Sequence, residues 1–307
     1  MSKTKGFIYG SISAATYGLI PLFALPIMAK GIFFDSILCY RFLIASLSIA
    51  ILMLIRKESF RIKRKELFTL ITLGVLFSSS AMFLFWSYKL MAAGIASTIL
   101  FVYPVFVAIL MSTLFHEKIS WLTRLAIIVA ISGVAMLYMG DSNGKITLVG
   151  ILIVLLSALT YALYLIVVNK SNIKEMSGIK LTFYSMSVAT CLFFIKAQLN
   201  QGLQPLPDTT SMINIFLLGI VPTVISCITM VSSVHHIGST YTAVLGAMEP
   251  LTAVCVGIWV FSEPFTPNLA IGIILIIASV TMIILSSAIR KSLGHLSRVF
   301  VQLRPKR

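Results

Sequence analysis

The sequence predicts an all-α integral membrane protein whose ten transmembrane helices form two inverted five-helix repeats. Three observations carry that prediction. Of the 307 residues, 59% are apolar and 11% charged, and the mean hydropathy of +1.03 lies outside the range of soluble domains. Apolar runs long enough to cross about 30 Å of hydrocarbon, at ~1.5 Å per residue, recur from end to end. The second half of the chain also repeats features of the first at near-constant spacing.

Taken in order, spans are expected at 7–28, 36–55, 67–88, 92–115, 121–139, 146–168, 180–195, 212–234, 239–261 and 268–289. Lys3 and Lys5 precede the first run and no small-x-small site closes it, so it is expected to stay as a helix and not to be cleaved. Most connections are short, which makes consecutive helices antiparallel neighbours; the longer ones are 56–66, 169–179 and 196–211. Within the last, 198–208 is rich in turn formers and reads as a surface loop. No room remains for a soluble domain. Cys39, Cys191, Cys227 and Cys255 sit in apolar runs without C-x-x-C spacing or a histidine partner, so they read as small hydrophobes; no metal or other cofactor is expected.

The net charge of +15 invites comparison with nucleic-acid binders, but its placement argues otherwise. With alternate connections assigned to opposite sides, nineteen of the 24 Lys and Arg residues fall on the side of the two termini and four (Lys30, Lys89, Lys145, Lys196) on the other. Arg41 lies within a span. The clusters at 61–65 and 304–307 therefore read as topology determinants beside anionic lipid, with no nucleic-acid partner. Both termini are expected in the cytoplasm of a bacterial cell, with the chain multi-pass in its cytoplasmic (inner) membrane.

Self-comparison gives the repeat. Tyr103-Pro104 matches Glu249-Pro250 at a spacing of 146, Glu117 matches Glu263, and 120–139 aligns without gaps on 266–285. Upstream, Thr16-Tyr17 matches Thr160-Tyr161 and Tyr40 matches Tyr184 at a spacing of 144. Five spans is an odd number, so the second copy starts on the opposite side and a two-fold axis in the membrane plane relates the halves. Exchange of conformation between the halves is a route to alternating access around a central site.

With these residues in view, the chain resembles the drug/metabolite transporter superfamily, and within it the EamA-type permeases with two EamA domains. The resemblance covers nearly the whole chain and rests on several segments. They are Ala14 to Gly18 with its echo Leu159 to Ala162, Tyr40-Arg41-Phe42, the paired proline-to-glutamate spans, and Phe261-Ser262-Glu263 followed by Gly272 and Ser279. The glycine of the family's Leu-Gly-Glu is absent at Leu114 to Glu117 and at Phe261 to Glu263. The resemblance implies a first EamA repeat at 1–140, a second at 146–290 and a basic cytoplasmic tail at 291–307. It also implies peripheral fifth and tenth spans, a cavity lined mainly by spans one, three, four, six, eight and nine, and small-metabolite substrates such as amino acids or nucleosides.

Among candidate site residues, Glu249 falls near the middle of the ninth span, where translocon scales put an ionised group at about 2.5–3.5 kcal/mol unfavourable. It is expected either to exchange a proton or meet a cationic substrate group, or to bridge helices around Pro250. Tyr17, Tyr161 and Tyr103 are repeat-related to one another or to Glu249 and are expected to converge as a substrate pocket or to pack. Trp86 either joins them or belts the outer interface with Tyr88. Thr160, Thr229 and Ser78 to Ser80 either line the path or bond neighbouring carbonyls. Arg41, about five residues inside the outer end of its span, is expected to snorkel outward as a gate or structural charge, or to meet a substrate carboxylate. Pro21, Pro26, Pro104, Pro222 and Pro250 are expected to break spans. Glu117 and Glu263 read as helix-end fixtures.

No nucleophile with a base, H-E-x-x-H or phosphate loop is present, which argues against an enzyme and against ATP drive. The expected function is secondary active transport of an amino acid-like or other small organic solute, by efflux or uptake, with proton coupling, as a monomer or homodimer. The alternatives are a channel or scaffold, or a membrane enzyme without a recognisable motif. Few charges within the spans favour zwitterionic or aromatic metabolites over sugar phosphates.

Overall fold

The computed structural model describes residues 3–117, 119–139, 147–171, 173 and 176–302, with side chains omitted at 239, 240 and 287–302. Lys118, Lys145, Lys174 and the cluster at 304–307 lie outside the described residues. Ten helical spans are present and no strand occurs among the described residues. They are Lys3–Met28, Phe34–Ile55, Arg64–Ser87, Ala93–Phe115, Trp121–Met139, Leu148–Lys170, Gly178–Asn200, Thr209–Gly238, Tyr241–Phe261 and Pro267–Ser286, called here spans 1 to 10. All ten agree with expectation in place and order. The chain is an all-α, ten-span membrane protein of two inverted five-helix repeats.

Span 7 is longer than its sequence suggests. Lys196 does not end it, because Lys196 Nζ lies 2.9 Å from the buried Asp35 carboxylate and over the Phe34 ring, so the charge is held without leaving the helix. Asn200 adds a hydrogen bond to Asp35 at 3.1 Å, and the expected loop accordingly starts only at 201.

The helices pair across the repeats, not within them. The most extensive packing joins span 1 to span 8, span 3 to span 6, span 2 to span 7 and span 5 to span 10, while spans 4 and 9 pack on each other and on spans 6 and 1 respectively. Exchanging the halves maps this set onto itself, as a two-fold axis requires. The polar contacts obey the same symmetry. Ser13 bonds the Ser226 carbonyl at 2.8 Å between spans 1 and 8, and Ser157 bonds the Ser80 carbonyl at 2.7 Å between spans 6 and 3. The Tyr40 hydroxyl donates to the carbonyl of residue Gln204, and that of Tyr184 to the carbonyl of Phe60, so donor and acceptor both recur at 144 residues. His116 and Ser262, 146 apart, both end their helices in the left-handed region at φ 54° and 52°. In lipid such interhelical bonds contribute roughly 0.6–1.7 kcal/mol each.

Spans 5 and 10 form the flank of the bundle along a seam of small residues. A Cβ on Gly272 would lie 2.6 Å from Leu137 and 3.0 Å from the Gly133 carbonyl, and Ser279 bonds the Ala126 carbonyl at 2.7 Å. Small residues there let the backbones approach to packing distance, which substitutes for the hydrophobic drive that lipid cannot supply.

Candidate functional site

Four spans are interrupted or bent for local reasons. Span 1 breaks at Gly18-Leu19, and Pro21 starts its second helix, Ile20–Met28. Span 4 breaks at Phe101-Val102 ahead of Pro104, and span 9 at Gly246-Ala247 ahead of Pro250, again 146 residues apart within a position. Proline suits the first turn of a new helix because its missing N–H is unused there. In span 8, Pro222 sits in a π-helical stretch, Ile220–Ile225, and cannot donate to the Leu218 carbonyl; the Thr223 hydroxyl does so instead at 3.0 Å. A further bend lies at Gly238, whose φ of 83° a side chain would disfavour. Pro26, expected to interrupt span 1, lies inside the helix Ile20–Met28 without breaking it.

The breaks meet. A Cβ on Gly18 would collide with the Glu249 carbonyl, so glycine is what lets the interruptions of spans 1 and 9 touch. Around them is a cavity of about 750 Å³, whose lining reaches from Tyr17 and Glu249 at its deep end to Gly10, Met111, Glu117, Asn169, Gly178 and Val234 at its mouth. The mouth lies on the face that carries the N-terminus. Tyr17, Tyr103, Tyr161 and Glu249 all line it. Glu249 sits in the first turn of the helix Met248–Phe261, is half-buried because it borders the cavity, and has no ion pair among the described residues. Tyr103 meets Tyr161 edge-on at 4.8 Å, Tyr161 stacks on Tyr164 at 5.9 Å, and Phe77 continues the series at 5.5 Å.

Beyond this floor a recess of about 20 Å³ is shared by Tyr17, Tyr103, Tyr161, Glu249 and Arg41. Arg41 does not snorkel. It is 2% exposed, donates from Nε to Thr223 at 3.1 Å and lies between the rings of Phe42 and Phe85. The expectation failed because distance from the helix end says nothing of which face a side chain occupies, and this face points into the bundle.

Three other expectations need correction. Trp86 is 44% exposed on the outer surface and does not line the cavity. Thr160 and Thr229 are spent on carbonyls of their own helices, at 2.9 Å and 2.7 Å, and are absent from the lining. The walls also differ: span 7 contributes Leu181, Thr182 and Ser185, span 10 contributes Ile283, and span 3 contributes only Phe77. The opening on one face exposes those elements and hides most of span 3. Tyr164 and Thr223 were missed. Tyr164 was discoverable, since it follows Tyr161 by one helical turn; Thr223 becomes polar lining only through the π-turn beside it.

The opposite face is closed. Lys30 meets Asp208 at 2.5 Å, Gln204 bonds the Phe33 N–H at 2.6 Å and accepts from Tyr40, and Glu263 accepts from the Ala93 N–H at 2.9 Å, capping span 4. Gly94 and Gly257 make room for that carboxylate. Its repeat mate, Glu117, caps no helix among the described residues; it pairs with Lys170 at 3.2 Å beside the mouth. No cluster of three or more His, Cys, Asp or Glu residues that could hold a metal occurs among the described residues.

The chain is similar to known proteins over most of its length. The model of the EamA-like transporter family matches residues 4–139 and 148–285. Among solved structures 28 chains match; one crystal structure superposes with a TM-score of 0.65 at 15% identity, covering 92% of this chain and 96% of that one. No curated protein matches by sequence.

Proposed function

Because this chain belongs to the EamA-like transporter family, we propose that it is a secondary transporter that carries a small organic solute by alternating access, with Glu249 exchanging a proton or meeting a cationic group of the solute. One observation carries the reading. Residues at the open mouth have repeat mates that are buried at the closed face: Met230, 45% exposed, corresponds to Leu84 at 4%, and Val168 corresponds to Ala24, Val107 to Ala253. Exchange of conformation between halves would bury the first set and open the second around the same floor. A channel would need both faces open at once.

The two glutamates supply the latch for that exchange. In the present state Glu263 caps span 4 and holds the outer face shut; in the exchanged state Glu117 would cap the start of span 9 and hold the inner face shut. The excess of Lys and Arg on the face of the mouth supports reading that face as cytoplasmic, with both termini inside a bacterial inner membrane. The first and second repeats are taken as 1–140 and 146–290, with a basic cytoplasmic tail at 291–307. The solute is amino acid-like or of similar size, given a floor of rings with one carboxylate.

Uptake and efflux of labelled amino acids and nucleosides in proteoliposomes, with and without a pH gradient, test the reading. Transport of at least one solute, with its coupling to the gradient abolished in Glu249→Gln, is expected. Transport and coupling unchanged in that variant would make the carboxylate structural. Labelling of a cysteine at Phe60 only from outside would reverse the orientation.

A further inference from the structure

The fold buries the Arg41 cation, and no anion pairs with it among the described residues. Its Nε donates to Thr223 Oγ1 at 3.1 Å, but the proton of that hydroxyl goes to the Leu218 carbonyl, so Thr223 orients the guanidinium and does not neutralise it. The rings of Phe42 and Phe85, at 5.3 Å and 5.9 Å, replace water around it. Asp35, the acidic residue of the same span, is already taken by Lys196 and Asn200. Glu249 borders the same recess, yet no ion pair joins the two among the described residues. An isolated buried charge is strongly unfavourable, and within membranes such charges mark ligand paths.

The recess that separates Arg41 from Glu249 has room for a water molecule or the leading edge of a carboxylate, and it shares Tyr17, Tyr103 and Tyr161 with the main cavity. We propose that Arg41 is the anion-binding, specificity-determining residue of the substrate site, which takes solutes bearing a carboxylate and an ammonium a few bonds apart on an apolar body. The guanidinium fork matches a carboxylate in two parallel hydrogen bonds. Glu249 faces the ammonium, and the tyrosine rings receive the body. The proposal rests on reading the cavity as a transport site and adds the polarity of the cargo: acid group toward the closed face, amine toward Glu249.

Two matched sets of probes separate the charges: phenylalanine, phenethylamine and 3-phenylpropanoate; leucine, isopentylamine and 4-methylpentanoate. Thermal unfolding of the purified full chain is followed against the concentration of each. In the wild type the zwitterion of at least one set is expected to stabilise at concentrations about tenfold lower than either singly charged relative, since a site built for a polar group rejects analogues lacking it. Arg41→Gln is expected to lose that preference while its response to the amine stays as in the wild type. Arg41→Lys, which keeps the charge without the fork, should retain part of it and guards against misfolding of the glutamine variant. Equal responses to amine and zwitterion in the wild type, no response to any of the six, or an undiminished preference in folded Arg41→Gln would each overturn the proposal. Transport of an amine in liposomes without preference for its acid-bearing relative would sink only the role of Arg41 and leave the transport reading standing.

Discussion

Replacing Glu263 with alanine should unlatch the closed face. The carboxylate accepts from the Ala93 N–H at 2.9 Å, at the first turn of the helix Ala93–Leu100, where a negative charge also meets the helix dipole. A hydrogen bond to a charged group contributes about 1.5–3 kcal/mol. Among the described residues the mouth-side glutamate makes no equivalent contact in this state, so the loss falls on one conformation only and shifts the equilibrium toward the exchanged one by about 10- to 150-fold. Leu84→Cys reports that shift, because Leu84 is 4% exposed here while its repeat mate Met230 lines the open cavity. With Cys39, Cys191, Cys227 and Cys255 replaced by serine, a membrane-impermeant maleimide is added from the face opposite the N-terminus. The labelling rate at position 84 should rise in Glu263→Ala by that factor, as long as the exchanged state stays the minor one. An unchanged or slower rate in a variant that still unfolds cooperatively would refute the latch.

Glu117→Ala should act in the opposite sense, slowing labelling at Leu84→Cys; its pair with Lys170 is about 40% exposed on each side, so the melting temperature should barely move. Gly272→Val places methyl groups against Leu137 and the Gly133 carbonyl, and overpacking of this kind costs about 1–3 kcal/mol, to be read as a lower unfolding temperature. At the closed face, hydrogen bonds from Lys30 and Ser211 hold the Asp208 carboxyl down at about 2. A depressed folded value means stability that is present above the ordinary carboxylate range and lost as pH falls through the folded value. The stability difference between wild type and Asp208→Asn should therefore stay constant from pH 8 to 4 and shrink only toward 2; a difference that titrates near neutrality would contradict the assignment.

What could be read from the sequence was whatever depends on the chain's local relation to lipid. Span number, order and the repeat followed from hydropathy and matched prolines, because a lipid-crossing helix must satisfy its own backbone and carries its length in plain view. The gathering of Tyr17, Tyr103, Tyr161 and Glu249 followed from repeat symmetry. What failed depended on which helix faces which. Hydropathy alone ends span 7 at Lys196 because the partner Asp35 lies 161 positions away, and it sends Arg41 outward because Thr223 lies 182 positions away. Thr160 and Thr229 were polar residues at useful depth whose hydroxyls the helix itself consumes. The asymmetry between faces could not be read, since the matched prolines and glutamates of the two halves suit either of the two exchanged arrangements.

Each span packs chiefly on the other half: 1 with 8, 2 with 7, 3 with 6, 4 with 6 and 9, 5 with 10. Neither repeat therefore owns an interior. During synthesis the first five helices enter the bilayer with their matching surfaces facing lipid, and assembly waits for the chain to be nearly complete. A gene cut between Met139 and Leu148 should yield fragments that are inert when made singly and regain transport when made together, as two combs regain rigidity only once their teeth interlock.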